Sequence, residues 1–352
     1  MPAPEVNRHC PAFEPVTAGD IAPQCVLPAL DGNTVDLYGD EIAGNPIVMV
    51  FCPRFSPAVA EALAGFRSRL EQFVSAGARV FAVALERAKE AKAQAIPFPV
   101  LIDKDGRVFR DFGANRQNLP TTALLRPNHH VLAIINGACE TQAPEALALV
   151  QQITAERRSV LMAPHPPVLT IPDVLGREDC RYLINVFETR GKIFLDLGPG
   201  IDYIGADYKM RVPEHGRRDR IDHWIVESDT AALLDHRLVN RVIPEVAKAF
   251  HYQITRYERM RIGCYEGSRG GKLHGHRDNF DPSTAYRRFA MSVNLNTEEF
   301  EGGELRFPEY GNQRYRPNTG SAIVFSSSLL HEALHVTSGR RFVLLAFLFG
   351  ER

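Results

Sequence analysis

The hydrophobic rhythm of this chain differs between its two halves, which a proline cluster separates, and the difference rules out one repeating architecture for the whole. On the N-terminal side, short apolar runs alternate with helical patterns. "PIVMVF" (46–51) is fit for a strand buried on both faces. "SPAVAEALAGFRSRLEQFVSAG" follows with apolar residues at helical spacing and Gly77 as a stop. "ARVFAVAL" reads as a second strand and "RAKEAKAQA" as a helix. "FPVLIDKDGRVFRDFG" carries a turn at "DKDG", "TTALLRPNHHVLAIING" a hairpin turning at "RPNH", and "APEALALVQQITAE" a closing helix. Strands alternating with helices predict an α/β layer.

Pro164, Pro166 and Pro167 then punctuate "APHPP" and mark a linker. "GREDCRYLINVFETRG" is an amphipathic helix, and "DTAALLDHRLVNRVIPEVAKAF" reads as one or two more. From Tyr252 onward the strand-like runs "RFAMSVNLN", "GELRFPEY", "GSAIVFSSS" and "RRFVLLAFLF" are separated by Gly, Asn and Pro. That is the rhythm of a β-sandwich or jelly roll. The expected division is a domain over 1–157, a linker over 158–167 and a second domain over 168–352. A length of 352 residues agrees with two domains.

Composition narrows the function classes. A formal net charge of −1 gives no global field toward nucleic acid or an anionic membrane, and neither is expected as a partner. The longest apolar run, "FVLLAFLF", is too short to span a bilayer, and "MPAPEVNRHCPAFEP" lacks a signal-peptide core. The expected location is the cytoplasm. Cys10, Cys25, Cys52, Cys139, Cys180 and Cys264 are dispersed with no CxxC pair, which argues against a zinc ribbon and a disulfide-stapled fold.

The densest chemistry lies in "HGHRDNF" (274–280). His276 and Asp278 are two apart, and on a strand such residues share a face. An imidazole and a carboxylate there make two legs of a 2-His-1-carboxylate site, which leaves positions open on Fe(II). A third leg is offered by His331 in "SSLLHEALHVTSGRR". His274 has the same strand parity. It is either a contact near the site or a partly exposed edge histidine. Gly302 and Gly303 in "FEGGELRF" suit a tight turn or bulge.

The ordered motifs "CYEG…HRD…FEGGELRFPEYG…PNTGSAIVFSSSLLHEALHVTSGRRF" resemble the prolyl-4-hydroxylase branch of the Fe(II)/2-oxoglutarate dioxygenases. The resemblance covers Pro166 to the C-terminus. It implies an α+β double-stranded β-helix (jelly-roll) domain with His276, Asp278 and His331 as iron ligands. It implies Arg341 as the anchor for the far carboxylate of 2-oxoglutarate, with Arg340 as runner-up, and Tyr265 as a hydrogen-bond donor to the same co-substrate. A guanidinium fork suits a carboxylate because it can donate two parallel hydrogen bonds. One departure is His335, where relatives often have proline four residues after the distal histidine. "HGRRDRID" (215–222) reads as a solvated loop. By analogy with segments that fold over the site mouth in related enzymes, Arg217 and Arg218 are candidates for substrate contact, alongside His274 and His335.

The first half resembles peroxiredoxins of the thioredoxin-like superfamily. "GDIAPQCVLPALDGNTVDLYG" leads into the "PIVMVFCPRFSPAVAE" segment, and "FPVLIDKDGRVFRDFG" and "LPTTALLRPNHHVLAI" continue the match. This implies an α/β thioredoxin-like fold. Ser56 and Pro57 fit the family's TPxxC-type segment, but the peroxidatic cysteine position holds Val59. Valine cannot form the thiolate that attacks a peroxide. The family's arginine is absent at "LPTTAL", and Pro120 fits the cis-proline position of the thioredoxin fold. The expected role of this domain is a scaffold, an oligomerisation surface or a docking module.

Together the resemblances imply hydroxylation of a C–H bond of a peptidyl residue, amino acid or small metabolite. Fe(II), 2-oxoglutarate and O2 are the implied cofactors, with ascorbate a candidate supporting reductant. Succinate and CO2 are the implied co-products. The competing class is a thiol-dependent peroxidase or redox-binding protein whose second half only binds. Substrate identity stays open between peptide, protein and small molecule, and a homodimer is left open.

Overall fold

The computed structural model describes residues 14–85, 96–114, 119–156, 165–190, 193–194 and 220–350. They divide into two compact units, within 10–161 and within 162–352. The helix expected at "RAKEAKAQA" and the residues Arg217 and Arg218 lie outside the described residues, as does most of the expected linker.

In the first unit β1 (Val26–Pro28) and β2 (Thr34–Asp36) form a small hairpin. The main sheet contains β3 (Ile47–Cys52), β4 (Arg79–Ala84), β5 (Val100–Ile102), β6 (Thr121–Leu125) and β7 (Val131–Ile135) in the order β5-β4-β3-β6-β7. β3, β4 and β5 are parallel, and β6 and β7 are antiparallel to their neighbours. Helices α1 (Pro57–Ser68), α2 (Leu70–Ser75), α3 (Arg107–Asp111) and α4 (Cys139–Glu156) complete the unit. Val48, Val50 and Cys52 pack with Val59, Phe66 and Val150 on one side of β3, while Ile47, Met49 and Phe51 pack with Phe109 and Phe112 on the other. Two apolar cores explain why "PIVMVF" shows no alternation.

Three local outcomes refine the sequence expectations. The β6–β7 hairpin turns at "RPNHH", where Arg126 N–H donates to the His130 carbonyl at 2.7 Å and His129 adopts φ 68°. "DKDG" is more than a turn: buried Asp103 accepts from the Phe109 N–H at 2.9 Å and ties it to α3. The expected cis bond at Pro120 is not found, and no cis peptide occurs among the described residues. The buried Gln142 amide instead holds the Pro120 carbonyl at 3.1 Å and fixes the entry to β6.

The second unit opens with β8 (Val168–Ile171), α5 (Arg177–Thr189), β9 (Ile193–Phe194) and β10 (Arg220–Trp224). α6 (Ser228–Arg237) and α7 (Ile243–Phe250) are joined by a π-turn over Leu238–Val242, with a proline in the first turn of α7. β11 (Arg256–Tyr257), β12 (Arg261–Glu266), β13 (Leu273–His276), β14 (Phe289–Asn294), β15 (Phe300–Gly302), β16 (Leu305–Arg306), β17 (Arg314–Tyr315), β18 (Ala322–Ser326), β19 (His331–Ala333) and β20 (Val336–Phe349) follow. The major sheet runs β8-β18-β14-β20-β12-β10-β9, with β11 and β15 on the ends of β20. The minor sheet runs β13-β19-β16-β17.

Period-two alternation sorts the two faces of the major sheet. Ile262, Cys264, Phe342, Leu344, Met291, Val293 and Val324 join the helices in one core. Tyr265, Val343, Phe347, Ala290, Ile323 and Phe325 face the minor sheet, with Leu273, Leu305 and Ala333. This is the jelly-roll domain expected from the rhythm after Tyr252. Gly302 and Gly303 both adopt positive φ, 74° and 70°. A Cβ on Gly302 would lie 2.2 Å from the His335 carbonyl oxygen, so the turn between β15 and β16 requires glycine there. The "HGRRDRID" expectation needs correction. Arg220 to Asp222 are a buried strand of the major sheet, because their charges pair within the domain.

Candidate active site

β10, β12 and β20 are antiparallel neighbours, and directly opposed residues share a face. Arg220 faces Tyr265, which faces Arg341; Asp222 faces Gly263, which faces Val343; Trp224 faces Arg261, which faces Leu345. The first and third rows line a cavity of about 370 Å³ between the two sheets. The middle row makes room. A Cβ on Gly263 would lie 2.9 Å from Arg220 Cδ and 3.1 Å from Asp222 Oδ1. Arg220 therefore lies across Gly263 and donates to Asp222 through Nε at 2.7 Å and Nη2 at 3.1 Å. Burial opposes the Arg220 charge, but Asp222 more than offsets it and holds the guanidinium above its ordinary range. Gly263→Ala should destabilise the domain by about 1–3 kcal/mol through overpacking. Thermal denaturation against wild type checks this.

The opposite wall holds the acid–imidazole cluster. His276 ends β13 and is directly opposed to His331, which starts β19. His276 Nε2 lies 3.2 Å from Asp278 Oδ1, and His331 Nε2 lies 3.4 Å from Asp278 Oδ2. One ligand atom from each residue falls within 4.8 Å of the others. Asp278 is not on the strand. It sits in the turn after it, where its N–H donates to the Ser327 carbonyl at 2.9 Å. The shared-face expectation for His276 and Asp278 was thus right about proximity and wrong about its cause.

The two imidazoles are held in the same way. Each Nδ1 donates to a carbonyl two residues back, His276 to His274 at 2.9 Å and His331 to Leu329 at 3.0 Å. A carbonyl only accepts, so each Nδ1 carries the proton and each Nε2 turns its lone pair toward Asp278. Burial pulls the His331 imidazole below its ordinary range, which disfavours a second proton there. Burial also opposes charge on Asp278, yet neighbouring His276, His331 and Arg287 hold its carboxyl below the usual range. Two imidazole lone pairs and an ionised carboxylate converge with no proton to share. That donor set suits a divalent transition-metal ion, and the outer hydrogen bonds orient it.

Arg341 is 2% exposed, and burial lowers its guanidinium below the ordinary range. Its Nη2 donates to Asn294 Oδ1 at 3.1 Å. Asn294 is held in turn because its Nδ2 donates to the Pro317 carbonyl at 3.0 Å. Tyr265 stands beside Arg341, and its hydroxyl accepts from Arg220 Nη1 at 3.2 Å, which leaves the phenolic proton for a ligand. Arg340 points the other way, is exposed, and pairs with Glu188 at 2.6 Å.

His274 and His335 are not among the cavity residues. A register shift between Leu273 and His276 breaks the parity that would have turned His274 inward, and His274 is exposed. His335 is also exposed, with its ring near Gly270. Sequence reasoning missed Arg220, Trp224, Arg261, Arg287 and Asn294. A signal was present in "RIDHW", where Arg220 and Asp222 are two apart on what proves to be one strand face.

Residues 18–134 match the AhpC/TSA family, and residues 259–349 match the 2OG-Fe(II) oxygenase superfamily. The chain joins an AhpC/TSA-type domain to a 2OG-Fe(II) oxygenase-superfamily domain. Chloroplastic peroxiredoxin Q of Gentiana triflora is 30% identical over 117 residues, which cover 32% of this chain and 53% of that protein. Peroxiredoxin Bcp of Escherichia coli K12 is 29% identical over 106 residues, covering 29% of this chain and 67% of that protein. The chain thus spans about half to two thirds of the length of these relatives. A viral collagen prolyl hydroxylase from Paramecium Bursaria Chlorella virus-1 is similar at 18% identity and TM-score 0.38, covering 52% of this chain and 96% of that one. Peroxidoxin BcpB from Mycobacterium tuberculosis is similar at 22% identity and TM-score 0.36, covering 41% and 99%.

At the position where the peroxiredoxin resemblance expects the reactive thiol, the AhpC/TSA-type domain carries no sulfur. Val59 is fully buried at the third position of α1, and its N–H is capped by Ser56 Oγ at 3.3 Å. Cys52 and Cys25 are both 1% exposed, and burial pushes each thiol up to about 12. With the folded pKa so far above neutral, the thiolate is scarce at pH 8. Alkylation of both by iodoacetamide at pH 8 should be about a thousandfold slower than for a free thiol. Mass spectrometry of the native protein against a urea-denatured control checks this. No helix among the described residues is long and apolar enough to cross a membrane.

Proposed function

We propose that the protein is an Fe(II)- and 2-oxoglutarate-dependent dioxygenase that hydroxylates a C–H bond of an amino acid, peptidyl residue or small metabolite, releasing succinate and CO2. The observation that carries this reading is the convergence of His276, Asp278 and His331 on one wall of a cavity whose other wall presents Arg341 and Tyr265.

In this reading His276, Asp278 and His331 hold the iron, which supplies O2 activation coupled to oxidative decarboxylation of the keto acid. Arg341 holds the far carboxylate of 2-oxoglutarate, and Asn294 fixes the plane of its fork. Tyr265, oriented by Arg220, donates its hydroxyl proton to the same carboxylate. Leu273, Ala290, Leu305, Phe325 and Phe347 give the cavity an apolar lining that excludes water from the reacting atoms. Arg287 grips Glu258 and donates to the Asp278 carbonyl at 3.0 Å, which fixes the turn that carries the acid ligand.

The peroxidase alternative requires a reactive thiol, and the burial of Cys52 and Cys25 opposes it. The AhpC/TSA-type domain then serves as a scaffold, an oligomerisation surface or a docking module. Untargeted mass spectrometry of cell extract incubated with enzyme, Fe(II) and 2-oxoglutarate should show at least one metabolite or peptide gaining a single oxygen atom. Extract lacking 2-oxoglutarate should not show it. Peroxide turnover with a thiol reductant that is lost in Cys52→Ser would instead favour the alternative.

A further inference from the structure

The arginines that line the cavity are not equally paired. Arg287 gives two nitrogens to the Glu258 carboxylate. Arg220 lies bidentate on Asp222. Arg261 has neither arrangement. Its Nε is 3.1 Å from Asp222 Oδ2, an oxygen already used by Arg220, and is not aligned to hydrogen-bond it. Neither Nη donates to any described residue. Arg261 is nonetheless only 8% exposed, and its Cζ sits 5.0 Å from the Trp224 ring centroid and 5.1 Å from that of Phe347. Burial, together with neighbouring Arg220, pulls its guanidinium down to about 10. A buried cation without a full partner is costly unless a ligand completes it.

Charge balance shows what is missing, on the reading that this cavity binds Fe(II) and 2-oxoglutarate. Asp278 and one carboxylate of 2-oxoglutarate neutralise a divalent ion. The other carboxylate neutralises Arg341. Arg220 and Arg261 remain with one carboxylate, Asp222, between them. On this wall of the cavity one positive charge is left over, and it lies at Arg261; Asp281, the other lining carboxylate, is exposed to solvent. Arg261 is away from the co-substrate anchor. Arg341 and Arg220 flank the Tyr265 ring, whereas Arg261 lies two rows further along the sheet, about 13 Å of strand away.

We propose that Arg261 anchors the carboxylate of the primary substrate, a small monocarboxylic acid that enters the cavity beside 2-oxoglutarate. Trp224 and Phe347 form the aromatic walls of this subsite, each with its ring within cation–π distance of the guanidinium. A guanidinium at this depth admits the terminal group of a compact molecule. Arg261 thereby selects free acids over their amides, since an amide leaves the charge unpaired.

Trp224 is the only tryptophan in the chain, so its emission reports on this subsite alone. The full-length protein is loaded with Fe(II) and saturating 2-oxoglutarate without oxygen. It is then titrated with straight-chain acids from acetate to hexanoate and with their primary amides. The expected result is a saturable change in Trp224 emission with at least one acid and none with its amide. Arg261→Gln should weaken that acid at least tenfold while binding 2-oxoglutarate within about threefold of wild type by calorimetry, and Arg261→Lys should keep part of the response. Three results would overturn the proposal: no acid gives a saturable change, amides bind as well as acids, or Arg261→Gln loses 2-oxoglutarate as severely as Arg341→Gln. The last would place Arg261 in the co-substrate site. Failure of wild type to bind 2-oxoglutarate at all would instead count against the dioxygenase reading on which the proposal rests.

Discussion

Asp278→Ala should abolish iron-dependent conversion of 2-oxoglutarate to succinate and weaken Fe(II) binding by at least a hundredfold, about 2.7 kcal/mol. The same loss of turnover is expected for His276→Ala and His331→Ala. Asp278 is the only anion in the cluster, and both Nε2 atoms are directed at its two oxygens. Without it, two neutral imidazoles would have to hold a divalent ion unaided. The fold should survive, because Asp278 lies in a turn whose backbone is held independently by Ser327 and Arg287. Far-ultraviolet circular dichroism and a metal titration separate loss of ligand from loss of fold. His274→Ala is the control: it is exposed and offers the site only its backbone carbonyl, so iron binding should be retained.

Arg341→Ala should raise the apparent Michaelis constant for 2-oxoglutarate about a hundredfold or more, again roughly 2.7 kcal/mol. The guanidinium is 2% exposed, and Asn294, a neutral amide, is its hydrogen-bond partner. The neighbouring fork beside Tyr265 cannot substitute, because Arg220 is committed to Asp222. Leaving a carboxylate unpaired in a buried pocket typically costs several kcal/mol. Arg341→Lys should recover part of the loss by restoring charge without the bidentate geometry. Arg340→Ala should change co-substrate affinity less than twofold, since its side chain leaves the opposite face of β20 and makes an exposed pair with Glu188. Co-substrate titrations on the four proteins check the whole set. A crippled Arg340→Ala beside a normal Arg341→Ala would move the anchor by one residue.

Much of the fold was legible because hydrophobic period reports directly on burial. "PIVMVF" has no alternation because β3 is buried on both faces, and "RRFVLLAFLF" could be placed as a strand because Phe342, Leu344 and Ala346 face one core while Val343 and Phe347 face another. The same strand parity separated Arg341 from Arg340. Parity failed at His274, where an irregular register between β13 and β19 reset which side chains face inward. A bulge leaves no mark in composition, so no pattern in "LHGH" announces it.

The charged half of the cavity was hidden for a different reason. "HGRRDRID" carries five charged residues in eight and reads as solvent-facing. Arg220 and Asp222 are buried only because Gly263, 43 and 41 residues away in sequence, lacks the side chain that would block them. The pairing of Arg220 with Asp222 is local, but the room that buries it lies across the sheet at Gly263, which local sequence does not encode. Asn294 was missed likewise, since its role depends on the Pro317 carbonyl turning its amide toward Arg341. The candidate ligand histidines were legible by spacing and by resemblance, but their tautomers were not. The carbonyls of His274 and Leu329 set those, and only the folded turn brings them into reach.

The central claim is that the second domain couples 2-oxoglutarate consumption to iron held by His276, Asp278 and His331. The most direct test is succinate formation from 2-oxoglutarate by the full-length protein, with and without Fe(II), alongside Asp278→Ala. The account predicts succinate that depends on added iron, is removed by a chelator, and is absent from the folded Asp278→Ala protein. Succinate formation that persists in Asp278→Ala, or none from folded wild type shown to bind both iron and 2-oxoglutarate, would contradict it.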